Sequence, residues 1–556
     1  MLAPRALAPD GSPVDGFVFE GALAVTYRGA EPVEAGIRVE LELPDTDDPR
    51  WLVPGVFYGE NRPESCTRLF PRFTRGHVDV ERMESESWSF RADRCATPAV
   101  FARGGGLVTR EVSPLGQAGV GFADREGRPV VWLDFPYREE PLRYDGSQTP
   151  APPDVQTYRW QPGERVELAV EVADRPPRPA ATFDDPAWVS IEEGGELAAW
   201  GLYRWHYKPD PPRLIETRSF DGRDERDNMH VSWVSGVPYA YALARHGRRV
   251  GNDDYVQAGE AVLDHVAENL APGGTFWPQW TRDRGWTWGW HPDHDRAHSR
   301  TLADATLYIL RAAAASDTVS LAHAARSNLA VVLRTQRDDG ALPAAHSIAT
   351  GDAVSWEGTA GMAWIPALVE AGHDEEARAA GDYFRRFDTW CGAPEDVDLA
   401  PTHEDGIAAV MAAVALADWD WARRAADWML TFRYTYDVDF AADTDLGRVG
   451  FRTRGADTAS TANQHLHAFA LFCLPEMLQL AEATGDDYYR RSALENLACF
   501  RQCIGRHDGD FGARKGMAAE RYLQTDCFGP KGTLDPLSHA WSIGVLLLAC
   551  EEMLAL

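Results

Sequence analysis

Residues 402–430 read THEDGIAAVMAAVALADWDWARRAADWML. An apolar, alanine-rich run opens after Thr402 and stops at Asp418, and a second run follows at once with apolar and charged residues sorted by helical spacing. This is the pattern of a helical hairpin: one buried helix, a turn residue, and an amphipathic helix behind it. The unit recurs. Six apolar segments begin near Met229, His298, Gly358, His403, Asn463 and Asp535, and each leads through a short break into a second helical segment or the last residues. The short breaks, Gly247 to Gly251, Ser316-Asp317, Gly372 to Asp374, Asp418 and Gly485 to Asp487, are turn chemistry. With a first helix at 189–207, the pattern predicts twelve helices in six pairs. The connections in front of the six segments are long, about 12 to 30 residues, and loops of that length in a compact unit are usually functional. Six of them at one end predict a ring of hairpins with a single working face.

Residues 16–172 follow another rhythm. The runs FVFEGALAVTY (17–27), IRVELEL (37–43), VVWLDF (130–135) and VELAVEV (166–172) alternate with period two between Gly, Pro and Asp breaks. That predicts an antiparallel β-sandwich over 1–173. The proline-rich stretch RPPRPAATFDDP (175–186) reads as a linker, placed at 174–188, and the helical part then runs over 189–556.

Composition narrows the partners. A net charge of −30 argues against nucleic acid or an anionic membrane surface. No run of apolar residues is long enough to span a membrane, and the first residues, MLAPRALAPDG, lack the apolar core of a signal peptide. The eight cysteines are scattered without a CxxC pair and read as buried thiols in a reducing, cytoplasmic compartment. Self-association into a homo-oligomer stays open.

The long connections hold the unusual side chains. RGWTWGW (284–290) spaces Trp286, Trp288 and Trp290 two apart, so an extended chain presents three indoles on one face, suited to stacking on sugar rings or to packing the rim. HPDHDRAH (291–298) follows, with His294 available to sugar hydroxyls. A metal is not expected there, because Pro292 breaks helical geometry and no cysteine assists. SWEGT (355–359) places Trp356 and Glu357 before the third segment, and Thr402-His-Glu-Asp405 opens the fourth. Asp405 stands at capping-box spacing from Thr402, whereas Glu357 and Glu404 have no such structural excuse. VGFRTRGAD (449–457) sets Arg452 and Arg454 on one side of an extended strand and supplies Asp457. TANQHLH (461–467) offers Gln464, at capping spacing from Thr461, and His465. On a regular helix His467 would face away from His465. Lys531, one of only three lysines, lies in the last long connection.

A sandwich followed by six hairpins resembles the six-hairpin glycosidase superfamily, (α/α)6 barrels that include glucoamylase-like and rhamnosidase-like hydrolases. The resemblance implies a multidomain β + α fold and a site in the barrel mouth, at the N-terminal ends of the inner helices. It implies a glycoside hydrolase acting on an oligosaccharide, possibly one with an acidic sugar, by two carboxylates and with inversion, without a cofactor. On that reading Glu357, Glu404 and Asp457 are the catalytic candidates. The substrate-binding candidates are Trp288, Trp290, His294, Trp356, His403, Arg452, Arg454, Gln464, His465 and Lys531. Lyases and sugar 2-epimerases use the same barrel, so a uronate lyase working through histidine or tyrosine (Tyr434, Tyr436, Tyr522), an isomerase, and a sugar-binding protein stand as alternatives. No GxGxxG, P-loop, HExxH or GxSxG motif is present.

Overall fold

The computed structural model describes residues 2–21, 24–59, 65–66, 68–144, 150–178, 188–316, 318–395 and 399–556. Residues 179–187 of the expected linker, and Asp317 in one of the expected short breaks, lie outside them.

The helical half contains α1 (Ile191–Gly201), α2 (Val237–Val250), α3 (Asp253–Ala267), α4 (Ser299–Ser316), α5 (Val319–Thr335), α6 (Trp364–Glu370) and α7 (Asp374–Phe384). It continues with α8 (His403–Ala415), α9 (Trp419–Met429), the single turn α10 (Asp445–Arg448), α11 (Leu474–Thr484), α12 (Asp487–Phe500) and α13 (Ala540–Ala555). Helices α2/α3, α4/α5, α6/α7, α8/α9 and α11/α12 pack as hairpins, and α1 packs on α13. Contacts run α2 to α4, α4 to α6, α6 to α8, α8 to α11, α11 to α13, and α13 back to α2, so six helices close a ring. These are the apolar members of each pair. In α8 every residue from His403 to Val414 is buried, whereas α9 buries one stripe and turns its arginines outward. Small residues let the layers meet: a Cβ on Gly259 of α3 would stand 2.5 Å from the Ala240 carbonyl oxygen of α2.

Two helix starts differ from the sequence expectation. Helix α2 begins at Val237 rather than near Met229, because Asn228–His230 is a strand paired with Gln279–Thr281. Helix α11 begins at Leu474 rather than near Asn463, with Pro475 in its first turn. The preceding polar run keeps its side chains on local backbone groups, as where Ser460 Oγ accepts from the Asn463 amide at 2.8 Å, and this competes with helix formation. Thr461 and Gln464 therefore cap nothing. Thr402 and Asp405 do form the expected capping box at the start of α8.

In the first part of the chain an antiparallel sheet runs Leu2–Leu7, Val33–Glu42, Arg128–Phe135, Gly119–Arg125, Ser87–Arg91, with Tyr158–Trp160 also paired to Val33–Glu42. A second sheet runs Glu171–Ala173, Gly105–Val108, Ala99–Ala102, Leu52–Val53, Phe57–Tyr58. Strand Ala99–Ala102 packs on Gly119–Arg125 and Arg128–Phe135, so the sheets face each other over a shared apolar core.

The two halves meet along a polar seam. Arg94, wholly buried, donates to Glu139 at 2.6 Å, and Asp526 of the last long connection takes Arg91 at 3.0 Å and Arg94 at 3.4 Å. Leu399, Ala400 and Ala462 join the core of the sheet half, and Ala96 joins that of the ring. Seven of the eight cysteines are buried, and Cys391 is half-buried. Among the described residues no helix is long and apolar enough to cross a membrane.

Candidate active site

A cavity of about 240 Å³ opens at the N-terminal end of the ring, and five of the six long connections build its wall. The connection before α2 supplies Glu216, Arg226 and Trp233; that before α4, Trp290; the start of α8, Thr402 and Glu404. The connection before α11 adds His465, His467 and Phe469, and that before α13 adds Glu520, Arg521, His539 and Trp541. Trp290 and Glu404 thus stand at the same end of the ring, as the loop lengths predict.

The aromatic part of the wall is built by stacking. Trp290 lies parallel to His230 at 4.9 Å and edge-on to Trp233 at 5.9 Å, and the residue is 37% exposed. Trp541 stacks on Phe469 at 4.6 Å and sits 4.4 Å from His467.

The charged part is anchored from below. Arg300 of α4 is buried, ion-pairs with Glu404 and donates to Asp304 at 3.2 Å, holding Glu404 at the head of α8. Burial alone would push the Glu216 carboxyl up, but His539 at 3.7 Å and Arg226 at 2.7 Å outweigh it and hold the group below its usual range. Arg521 makes only long ion pairs, 3.5 Å to Glu520 and 3.7 Å to Asp535, and its Nε finds no hydrogen-bond partner among the described residues.

The histidines form the most distinctive feature. The strands Asp457–Thr458 and Leu466–His467 pair, so 463–468 is not helical. In an extended chain residues two apart share a side, and both His465 and His467 line the cavity, contrary to the helical expectation that they face apart. Their rings lie 5.5 Å apart. His403, behind them, donates from Nδ1 to the Ala459 carbonyl (3.0 Å) and accepts at Nε2 from the His467 ring (3.4 Å). Burial drives all three below the ordinary imidazole range, His403 to about 4. His465 is therefore neutral near pH 7, and its Nδ1 has no hydrogen-bond partner among the described residues. The structure thus brings Glu404, Trp290, His465 and the adjoining His403 together.

The other candidates lie elsewhere. Glu357 and Trp356 are exposed in the connection before α6, which adds nothing to the cavity wall, and there Ser65 donates to Glu357. Asp457 is fully buried, held by Arg433 at 3.0 Å and Asn496 at 2.8 Å. Arg452 pairs with Asp437 at 3.1 Å, and Arg454 with Glu495 at 2.7 Å. Trp288 stacks on His294 at 4.0 Å, away from the cavity. Gln464 donates to the Arg94 carbonyl at 3.1 Å and closes the seam, and Lys531 stands 3.6 Å from Asp93. The hydroxyls of Tyr434, Tyr436 and Tyr522 donate to backbone carbonyls, each inside the fold. Among the described residues no three of His, Cys, Asp and Glu converge in a metal-holding group.

Asp457→Ala should act on stability: it strips the buried Arg433 guanidinium of its counter-charge, a loss of about 3–5 kcal/mol. A drop in thermal midpoint is expected, with turnover per folded molecule nearly kept, and the pair Asp457→Leu with Arg433→Met should recover most of it. Unchanged melting with lost turnover would return Asp457 to the chemistry.

Glu216, Glu520, Arg521, His539 and Trp541 were not singled out from the sequence. A signal was present: His298, His403 and His539 each stand just before or at the start of a ring helix.

No protein-family model matches this chain, and neither does any curated protein. Among solved structures it is similar to a sugar epimerase from a ruminal bacterium, at 12% identity over 65% of this chain and 98% of that one, with a TM-score of 0.45. It is similar to a polysaccharide lyase at 10% identity over 98% of this chain and 88% of that one, with a TM-score of 0.49. A third similarity is to an α-1,6-mannanase of Salegentibacter sp. HEL1_6 in complex with α-1,6-mannotetrose, at 11% identity over 66% of this chain and 100% of that one, with a TM-score of 0.41.

Proposed function

We propose that this chain is a carbohydrate-active enzyme in which the helical ring, 189–556, does the chemistry, joined through 174–188 to a sheet half, 1–173. Its substrate is an oligosaccharide containing a uronate, which it cleaves by β-elimination. One observation carries this reading: a neutral, unpartnered imidazole, His465, shares a cavity with a loosely paired guanidinium, Arg521. A uronate resists loss of its C5 proton while its carboxylate is charged. Arg521 is placed to bind that carboxylate and stabilise the charge that develops on it, and the His465 imidazole takes the proton. Trp290, exposed and stacked on His230, offers a platform for a neighbouring sugar ring.

A second reading, hydrolysis, is favoured by Glu216, Glu404 and Glu520 on the same wall. Glu404 is tied to Arg300, and Glu216 to Arg226 and His539, arrangements that suit an anion better than a proton donor.

The test is incubation with a panel of neutral and uronate-bearing oligosaccharides, following reducing ends and the ultraviolet absorbance of an unsaturated uronate. New reducing ends with the chromophore are expected. Reducing ends without it would move the function to hydrolysis, and neither signal would remove cleavage altogether. With a substrate in hand, Trp290→Ala should raise KM about five-fold with melting unchanged, the loss of one stacking contact of about 1 kcal/mol. Trp288→Ala should leave KM in place, and the reverse result would make Trp290 rim packing.

A further inference from the structure

An elimination that breaks a C4–O4 bond needs a proton for the departing oxygen, and His465 removes a proton without supplying one. The donor has to lie in the same cavity. The floor between the two sides is aromatic: His467 stands 5.5 Å from His465 and 4.4 Å from Trp541, and Trp541 stands 5.4 Å from His539. Beyond that floor, residues from opposite ends of the helical half are stitched together. Thr217 pairs with His539 in a strand ladder, and the Ala540 amide donates to the Glu216 carbonyl at 2.9 Å. The ladder sets His539 Nε2 3.7 Å from Glu216 Oε1, with both side chains buried and both on the cavity wall. The Trp541 amide reaches His539 Nδ1 at 3.4 Å, a long bond that the neutral ring accepts and the imidazolium forgoes.

Resting on the lyase reading above, the geometry points to the His539–Glu216 pair as the proton donor to the leaving oxygen. The imidazolium of His539 gives up the proton, and Glu216 is the anion that stabilises the imidazolium. The balance closes without a co-reactant. The His465 imidazole takes the C5 proton, the C5–H electrons form the C4=C5 double bond, and the C4–O4 bond breaks with its electrons on oxygen. That oxygen takes the His539 proton and leaves as a hydroxyl. Exchange with solvent then returns one proton from His465 and one to His539. The other charged or titratable groups that bear on His539 are Arg226 beside Glu216, His206, which bonds to Ser538, and His467 across Trp541. Burial holds His206 at about 3 and keeps His467 low, so both are neutral at working pH, and Glu216 is the anion nearest the ring.

The test compares leaving groups. His539→Gln should lower elimination from a uronate oligosaccharide by about 100-fold or more, the scale of general-acid catalysis. With a uronoside carrying fluoride at C4, which departs without a proton, the same variant should lose less than about ten-fold. Glu216→Gln should show the same split, with the larger loss on the oligosaccharide. Equal losses on both substrates, in either variant, would overturn the donor while leaving the lyase in place. If the wild type yields no unsaturated chromophore from any uronoside, the reading it rests on and the donor fall together.

Discussion

Replacing His465 with glutamine is expected to reduce chromophore release from uronate oligosaccharides by about 10²- to 10⁴-fold, with KM nearly unchanged. Glutamine keeps a polar side chain of similar reach and removes the only atom that takes a proton. Because burial keeps the His465 imidazole well below its ordinary range, the acid limb of the wild-type profile should lie below the pH at which a solvent-exposed histidine titrates. That limb should be lost in the variant. Arg521→Gln should damage turnover on charged substrates and leave any action on neutral ones alone, since its role is to meet a carboxylate. Normal turnover in His465→Gln would dismiss proton abstraction by this ring and leave the wall glutamates as the reacting groups.

The same histidines predict an acid-sensitive fold. Burial lowers His206, His230 and His298 to about 3, His346 and His403 to about 4, and His465 and His467 well below the ordinary value. As pH falls through about 6.5 the unfolded chain takes up these protons and the folded chain does not. The stability contributed by each neutral ring is thus complete above that pH and lost progressively below it, by about 2 kcal/mol per ring at pH 5. Seven such terms rival the whole stability of an ordinary domain, about 5–15 kcal/mol. The thermal midpoint should fall by at least about 10 °C between pH 7 and pH 5. His346→Gln, away from the cavity, should flatten the slope. A midpoint flat across that range would mean that the rings are charged in the folded protein.

The helical ring was legible because its evidence is local and repeated. Alanine-rich segments, turn residues and the Thr402–Asp405 cap are read within a few residues, and the alternation of short and long breaks orders the hairpins. Glu404 was singled out because it sits at a helix start, and Trp290 because three indoles recur two apart in one connection. Glu357 misled because its neighbour is Ser65, nearly 300 residues away, which a local reading does not contain. His467 misled through the backbone: a polar run that bonds to itself stayed extended where helical spacing was assumed. Glu216, Arg521 and His539 were hidden because their meeting depends on the ladder that joins the first and last connections of the ring. Asp457 stood among the catalytic candidates and is a buried counter-ion of Arg433.

The seam between the halves sets a limit on how this protein can be taken apart. Ala96 packs within the ring, Leu399, Ala400 and Ala462 pack within the sheets, and Arg94 is neutralised from both directions by Glu139 and Asp526. A ring excised at the linker would uncover the apolar face that receives Ala96, and the connection bearing Arg521 would lose its mooring on Arg91 and Arg94. The two halves are accordingly to be moved together. Grafting this ring onto a foreign sheet module would require carrying the Arg91–Arg94 turn along with it.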